Sequence, residues 1–87
     1  MYRVDFLQEA LDELERLDRS VAQRLLKKLR WLAENFESAK AETLTGKLSG
    51  LFKLRLGDYR IVYEPDREHK AIIVHMVGHR REIYKRQ

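Results

Sequence analysis

The stretch from residue 51 to residue 63 constrains the fold of this chain more than any other. Apolar and polar side chains alternate along it, and Gly57-Asp58 interrupts the alternation where a two-residue hairpin turn belongs. A hairpin closed at that turn pairs Leu56 with Tyr59, Arg55 with Arg60, Leu54 with Ile61 and Lys53 with Val62. Its apolar face then consists of Phe52, Leu54, Leu56, Tyr59, Ile61 and Tyr63. That face predicts a hydrophobic core on one side of a sheet.

The opposite face of this predicted hairpin is basic. It carries Lys53, Arg55 and Arg60, and the register places Arg55 directly across from Arg60. Like charges across a ladder destabilise it, so stability alone does not favour this arrangement. A bound polyanion would offset the repulsion. We therefore expect this face to be a binding surface for a polyanion.

Two helices are predicted before the hairpin. A short strand at residues 2–5 precedes them, and each helix has an apolar stripe at helical spacing. Asp5 and Ser20 are expected to cap the first and the second helix. Because only Asp18-Arg19 separates the helices, they should form an antiparallel hairpin.

Two further strands are predicted around the turn, and one after it. A looser segment, residues 38–50, comes before the β-hairpin; residues 64–66 form the next turn, and residues 70–77 a buried strand that Gly78 ends. The element order is β-α-α-β-β-β in an α+β fold. We expect a small antiparallel sheet, with the helical hairpin packed on one face and the other face open.

Composition supports one small domain, residues 1–87, and narrows the class of partner. The chain has no cysteine, which favours a reducing, cytoplasmic location, and its longest apolar run is too short to span a membrane. The net charge of +4 is concentrated in residues 47–87, which hold ten Lys and Arg against five Asp and Glu. This asymmetry points to nucleic acid more than to a membrane, although a well-solvated basic surface explains the charge equally well.

A phosphate-binding cluster is predicted where the last two strands meet. An antiparallel strand at residues 70–77 brings Arg80 close to Arg60 and Arg55, and Tyr84 follows in a basic tail that has room for one helical turn. Guanidinium groups bind phosphate oxygens in a bidentate manner, and an aromatic ring offers a base a stacking surface. The cluster therefore favours binding of phosphate, with a stacking surface for a base beside it.

Three segments of the chain together resemble the RelE branch of the RelE/ParE superfamily of toxins. They are residues 50–55, the Tyr59-Arg60-Ile61-Val62-Tyr63 motif, and residues 77–84, which begin Val-Gly-His-Arg-Arg. The resemblance extends to nearly the whole chain in length and element order. It implies a RelE-like fold and a ribosome-dependent endoribonuclease that cleaves mRNA in the ribosomal A site. It also implies inhibition of translation, with neither metal nor cofactor.

The same resemblance implies partners and site residues. The partners are a cognate antitoxin, the ribosome and its mRNA, with operator DNA bound only through the antitoxin and no membrane. The residues that match the family's catalytic positions are Lys53, Arg55, Arg60, Arg80 and Tyr84. Two departures matter: Arg55 stands where the best-known members have lysine, and the spacing from Arg80 to Tyr84 is shorter than in some relatives.

The chemistry of RNA cleavage leaves the general base open. Attack by the 2′-OH needs a base, charge stabilisation at phosphorus and an acid for the leaving oxygen. Arginine stays protonated, so the candidates are Lys53, Tyr84 and His79. Our hypothesis is that Lys53 or Tyr84 acts on the 2′-OH, while Arg60 and Arg80 bind the phosphate.

Two other functions remain open on the same fold. One is a ParE-like toxin, a non-nuclease that inhibits DNA gyrase by protein binding; the other is a homologue that acts only as a partner in repression. The basic and aromatic residues of the predicted open face favour the nuclease. Trp31 points away from the apolar stripe of its helix, which predicts either a loop contact or a protein interface.

Overall fold

Five strands form one mixed sheet, and two helices pack on one of its faces. The structure is a computed structural model that describes residues 1–44 and 49–85, without the side chains of Glu82, Tyr84 and Lys85. The elements are β1 (Arg3–Phe6), α1 (Gln8–Arg16), α2 (Arg19–Glu34), β2 (Glu42–Thr43), β3 (Phe52–Leu56), β4 (Tyr59–Asp66), β5 (Ala71–His79) and α3 (Arg80–Lys85). The order across the sheet is β1-β5-β4-β3-β2. The α+β class and the helical hairpin are confirmed.

The predicted register of the β3–β4 hairpin is confirmed. Arg55 pairs with Arg60 and Leu56 with Tyr59, on either side of the two-residue turn. Gly57 has a φ of 59°, in the left-handed region that glycine adopts without steric cost. The turn and the alternating pattern therefore specify the same register, because a slip by one residue would move the apolar side chains to the other face.

The direction of β1 and the ends of two strands differ from the prediction. β1 runs parallel to β5, so the sheet is mixed and not wholly antiparallel. An alternating apolar pattern buries the same face of a strand whether the strand runs parallel or antiparallel to its neighbour. The pattern therefore did not indicate the direction of β1. Strand β4 continues through Pro65 to Asp66, because β3 pairing ends at Tyr63 and one side of β4 is then free to accept a proline. Strand β5 passes through Gly78 to His79.

The predicted helix caps are wrong. Asp5 lies within β1, where its carboxylate accepts a hydrogen bond from Arg3 Nε at 3.0 Å. Helix α1 begins after Leu7 without a side-chain cap. The Ser20 hydroxyl donates to Asp18 Oδ2 at 3.1 Å, and no side chain caps α2 either. The start of each helix is therefore set by packing against the sheet and not by a capping side chain.

The face opposite the two helices is partly covered, contrary to the prediction of an open face. Helix α3 packs against β4 and β5. Its Ile83 is 1% exposed and contributes to a small second core. The other members of that core are Leu44, Val62, Met76 and, partly buried, Leu51. The sequence pattern assigned Lys53, Arg55 and Arg60 to this face but did not show that distant residues would cover part of it.

A buried carboxylate fixes the end of β5. Pairing between β1 and β5 stops at Phe6 and Val74, because the chain turns into α1. Glu13 of α1 is 6% exposed, and its Oε1 accepts a hydrogen bond from the Val77 N–H at 3.1 Å. The helix thus supplies the hydrogen-bond acceptor that a longer β1 would otherwise have offered.

Candidate functional site

The basic residues of the hairpin lie on the face that α3 partly covers, but in different environments. Arg55 is exposed, Lys53 is half-buried, and Arg60 is only 3% exposed. Strand alternation puts all three on the side opposite α1 and α2. The two arginines that face each other across the ladder therefore differ in environment, because one side chain is solvated and the other is enclosed.

Arg60 is directed toward the hairpin turn. Its Nη1 donates hydrogen bonds to the carbonyl oxygen of Gly57 at 2.9 Å and to that of Tyr59 at 3.0 Å. Its Nε is buried and has no hydrogen-bond partner among the described residues. The hydrogen bonds to main-chain carbonyls stabilise the turn but bring no full negative charge. A cationic group therefore lies beneath the surface, and its Nε has no partner in the described part of the chain.

The start of α3 is attached to the same turn. The Arg80 N–H donates to the carbonyl oxygen of Asp58 at 2.8 Å, while the Arg80 side chain is exposed. The prediction that Arg80 lies close to the hairpin is confirmed, since β5 ends beside the start of β4. Arg80 and Arg55 are therefore exposed cations at the same end of the sheet.

A gap adjoins Arg60 on the β5 side. Gly78 is the residue opposite Arg60 in the ladder, and a methyl group placed on its Cα would meet no atom of the described residues within 4 Å. The φ of Gly78 is not positive, so the backbone does not require glycine here. Among the described residues, the space beside Gly78 lies on the same face of the sheet as Lys53, Arg55 and Arg60.

Lys53 has a carboxylate partner that the sequence did not reveal. Its Nζ lies 3.8 Å from Glu42 Oε2, on the two-residue strand β2. Glu42 pairs with Lys53 across the β2–β3 ladder. A strand of two residues leaves no periodic pattern to detect, and the residues of β2 belonged to the predicted looser segment. Glu42 is therefore a neighbour of the site that sequence reasoning missed.

The structure separates His79 from the basic cluster. His79 pairs with Tyr59, and the two rings meet edge to face with centroids 5.7 Å apart. Tyr59 packs against the core beneath α1 and α2, so His79 lies on the helix-facing side. Its Nδ1 accepts a hydrogen bond from the Arg81 N–H at 3.2 Å. Of the three candidate bases, only Lys53 is seen on the Arg55 face; the Tyr84 side chain lies outside the described residues.

The other two histidines, His69 and His75, have carboxylate partners close by. His75 is the extra residue of a β-bulge in β5, and its Nε2 lies 3.0 Å from Glu64 Oε1. His69 contacts Asp66 in the β4–β5 turn, with its Nδ1 2.9 Å from Asp66 Oδ2. The hydrogen bond from the His69 N–H, together with that side-chain contact, holds the pKa of Asp66 below its usual value.

Trp31 is an exposed aromatic residue on a basic helix. Its side chain is 44% exposed, and Lys28 Nζ lies 4.5 Å from its ring centroid. A shallow cavity of about 340 Å³ beside it is lined by Arg24, Lys27, Lys28, Trp31 and Leu56. The prediction that Trp31 lies off the buried stripe is confirmed.

Among the described residues, no helix combines the length and the apolar composition that a membrane span requires.

Comparison with known proteins identifies the family. The model of the ParE toxin of type II toxin–antitoxin systems (parDE) matches residues 4–84. A putative RelE-like toxin protein of Escherichia coli is 34% identical over 79 residues, which cover 91% of this chain and 83% of that protein. Toxin RelG of Mycobacterium tuberculosis is 42% identical over 43 residues, which cover 49% of this chain and 49% of that protein.

Solved structures agree with the sequence relatives. The isolated E. coli RelE toxin superposes with a TM-score of 0.75 at 31% identity, covering 99% of this chain and 98% of that one. A chain of the toxin–antitoxin complex RelBE2 from M. tuberculosis gives a TM-score of 0.79 at 26% identity, covering 90% and 96%. With the fold, the hairpin motif and these relatives in agreement, the chain belongs to the RelE/ParE superfamily of type II toxins, on its RelE branch.

Proposed function

We propose that this protein is a metal-independent endoribonuclease that cleaves mRNA in the A site of the ribosome and so inhibits translation. The observation that carries the proposal is the cluster of Arg55, Arg60 and Arg80 at one hairpin turn, with Lys53 on the same face of the sheet and the Arg60 Nε without a partner among the described residues. Such a concentration of cationic donors suits a phosphate whose negative charge increases during cleavage. The RelE-like relatives support the same activity.

The proposed roles follow from exposure. Arg55 and Arg80 face solvent and bind the phosphate oxygens directly. Arg60 holds the turn beneath them and adds its positive charge, which water screens less because the group is buried. Lys53 or Tyr84 acts on the 2′-OH. His79 is the weaker candidate for the base, since its ring contacts Tyr59 on the other face.

We also propose that a cognate antitoxin binds and inactivates the protein. Support comes from structural relatives that are themselves toxin–antitoxin complexes, including the intact E. coli RelBE complex, with a TM-score of 0.72 and 30% identity. Contact with operator DNA would then be indirect, through the antitoxin.

The nuclease proposal is tested by primer extension on a reporter mRNA translated in a cell-free system. Arg80→Ala is a clean variant because it removes an exposed side chain and keeps the N–H that bonds to Asp58. Arg19→Ala is the matched control, an exposed arginine at the start of α2. We expect discrete cuts with the wild type and with Arg19→Ala, and a loss of at least about a hundredfold with Arg80→Ala. Cuts that survive in Arg80→Ala would contradict the role of this cluster.

A second candidate function has support because the matching family model is that of ParE. In that case the protein would inhibit DNA gyrase by binding to it. The same preparations are therefore assayed for inhibition of gyrase supercoiling. Loss of supercoiling activity, with no mRNA cleavage in the presence of ribosomes, would replace the nuclease proposal with the gyrase one.

A further inference from the structure

A cavity, which we call the α1–β5 cavity, lies between the end of α1 and the end of β5, on the face of the sheet that carries the helices. Helix α1 and the residue after it contribute Glu13, Arg16 and Leu17, and the strands contribute Tyr59 and His79. Its volume is about 340 Å³. Small-molecule sites usually have about 300–1,000 Å³, so the cavity has room for one small ring system. No residue of the arginine cluster is among its described lining residues.

The cavity and the arginine cluster lie at the same end of the sheet. His79 directly precedes Arg80, and Tyr59 directly follows Asp58, whose carbonyl oxygen accepts the Arg80 N–H at 2.8 Å. Because Tyr59 and His79 are the last pair of the β4–β5 ladder, only the end of that ladder separates the two sites. An RNA chain with one phosphate on Arg80 can therefore pass around this end and place a neighbouring base in the cavity.

Two opposite charges lie side by side in the cavity wall. Glu13 and Arg16 are three residues apart on α1, so their side chains lie on the same side of the helix. The Glu13 carboxylate is only 6% exposed, and its acceptance of the Val77 N–H at 3.1 Å fixes its position. A carboxylate can accept about four hydrogen bonds in all, so acceptance from Val77 does not prevent acceptance from a ligand. The Arg16 side chain is exposed at the rim.

The other walls are apolar and aromatic. Leu17 and Tyr59 are partly buried and pack against the main core, and the His79 ring meets the Tyr59 ring edge to face. Such walls fit a nucleobase, because the faces of a base stack on aromatic side chains while its edges carry hydrogen-bond donors and acceptors. A phosphate is disfavoured in the same place, since the Glu13 carboxylate would repel it.

The pair of charges distinguishes among the four bases of RNA. Cytosine and guanine each have an amino group and a carbonyl oxygen on the pairing edge, whereas adenine lacks the carbonyl and uracil lacks the amino group. A carboxylate accepts a hydrogen bond from an amino group, and a guanidinium donates to a carbonyl oxygen. The two charges on α1 therefore match cytosine and guanine better than the other two bases.

We propose that the α1–β5 cavity binds a cytosine or guanine base of the RNA, next to the phosphate that Arg80 holds. Glu13 accepts a hydrogen bond from the amino group of the base, and Arg16 donates one to its carbonyl oxygen. RNA as the ligand rests on the proposed function, whereas the choice of base rests on the charges and walls of the cavity.

Free nucleosides test the cavity without engaging the arginine cluster, because they carry no phosphate. The full chain is labelled with ¹⁵N and titrated with two matched pairs, cytidine against uridine and guanosine against inosine; inosine lacks only the amino group of guanosine. We expect cytidine and guanosine to shift the amide signals of Val77 and Gly78 and to bind at least about tenfold more tightly than their partners. Equal affinities within both pairs, or no shift of these amides with any of the four, overturn the proposal.

Two variants assign the roles, with Arg19→Ala as the control. Arg16 and Arg19 are both exposed, but only Arg16 is among the lining residues of the cavity. We expect Arg16→Ala to weaken cytidine binding at least about fivefold and Arg19→Ala to leave it unchanged. Glu13→Gln keeps an oxygen for the Val77 N–H but adds an amide donor, so it should lose the preference for cytidine over uridine. A preference that survives in Glu13→Gln contradicts the role of the carboxylate.

Primer extension on the translated reporter mRNA separates this proposal from the nuclease proposal. We expect the cuts of the wild type to lie beside cytosine or guanine, and those of Glu13→Gln to depend less on this base. Nucleoside binding without any cleavage contradicts the nuclease function but not the base-binding cavity. Cleavage with the same pattern of cuts in the wild type and in Glu13→Gln overturns the proposal for the cavity alone.

Discussion

Replacement of Glu13 by alanine is expected to destabilise the end of β5. The carboxylate is buried and accepts a hydrogen bond from the Val77 N–H, one residue before Gly78. Hydrogen bonds to charged groups contribute about 1.5–3 kcal/mol, and a buried N–H left without an acceptor costs a similar amount. For a domain of this size, each kcal/mol corresponds to about 4–8 °C in Tm. We therefore expect Glu13→Ala to lower the free energy of unfolding by about 2 kcal/mol and Tm by about 8–16 °C.

The assay is urea unfolding followed by circular dichroism, with two companion variants. Glu15→Ala makes the same replacement at an exposed position of α1 and should change the free energy of unfolding by less than about 0.5 kcal/mol. Glu13→Gln keeps an oxygen that can accept the bond and should recover at least about half of the loss. The reasoning is refuted if Glu13→Ala is as stable as Glu15→Ala, or if Glu13→Gln is destabilised as much as Glu13→Ala.

Two further variants test the site and the pH response. Gly78→Ala should fold with unchanged or slightly higher stability, by up to about 1 kcal/mol in urea unfolding, because a methyl group there meets no atom of the described residues. Reduced cleavage in primer extension would show that RNA uses the space beside Arg60, and full activity would contradict that use. The pKa of Asp66 is lowered by the hydrogen bonds from His69, so its contribution to stability is present above the unfolded-state pKa of about 4 and is lost as pH falls through the lower, folded-state pKa. Asp66→Asn should therefore lower the urea midpoint at neutral pH and converge with the wild type in acid, and a constant difference across that range would contradict this linkage.

The hairpin was the most predictable part of the fold, since two independent signals specified it. The turn residues determine where the chain reverses, and the apolar alternation determines which residues share a face. The direction of β1 had no such signal. A strand of four residues such as β1, or of two residues such as β2, carries too little pattern to indicate its pairing. The pairing of both edge strands was determined by where the helices and the rest of the sheet left room.

The sequence predicted which residues belong to the candidate site better than it predicted how buried each of them is. The sequence correctly predicted that Arg80 lies beside the hairpin, because the register of two antiparallel strands determines which of their ends meet. It did not predict that Arg60 is buried. A charged residue on the polar side of an alternating strand is expected to be exposed, and the residues that cover this face, such as Ile83 and Leu44, come from distant segments. His79 lies on the same face of the sheet as Tyr59 because the two residues pair across the β4–β5 ladder.

The burial of Arg60 is costly for a residue whose described hydrogen bonds only stabilise a turn. Removing a guanidinium from water incurs a desolvation penalty that two main-chain carbonyls offset only in part, and no described residue accepts a hydrogen bond from Nε. An apolar side chain of similar volume commonly gives equal or better stability in such positions. The charge also opposes that of Arg55 across the ladder. Stability therefore gives little reason for a cation here, whereas a phosphate bound between Arg55 and Arg80 would interact favourably with it, which is why the buried arginine supports a nucleic-acid site more strongly than the exposed ones do.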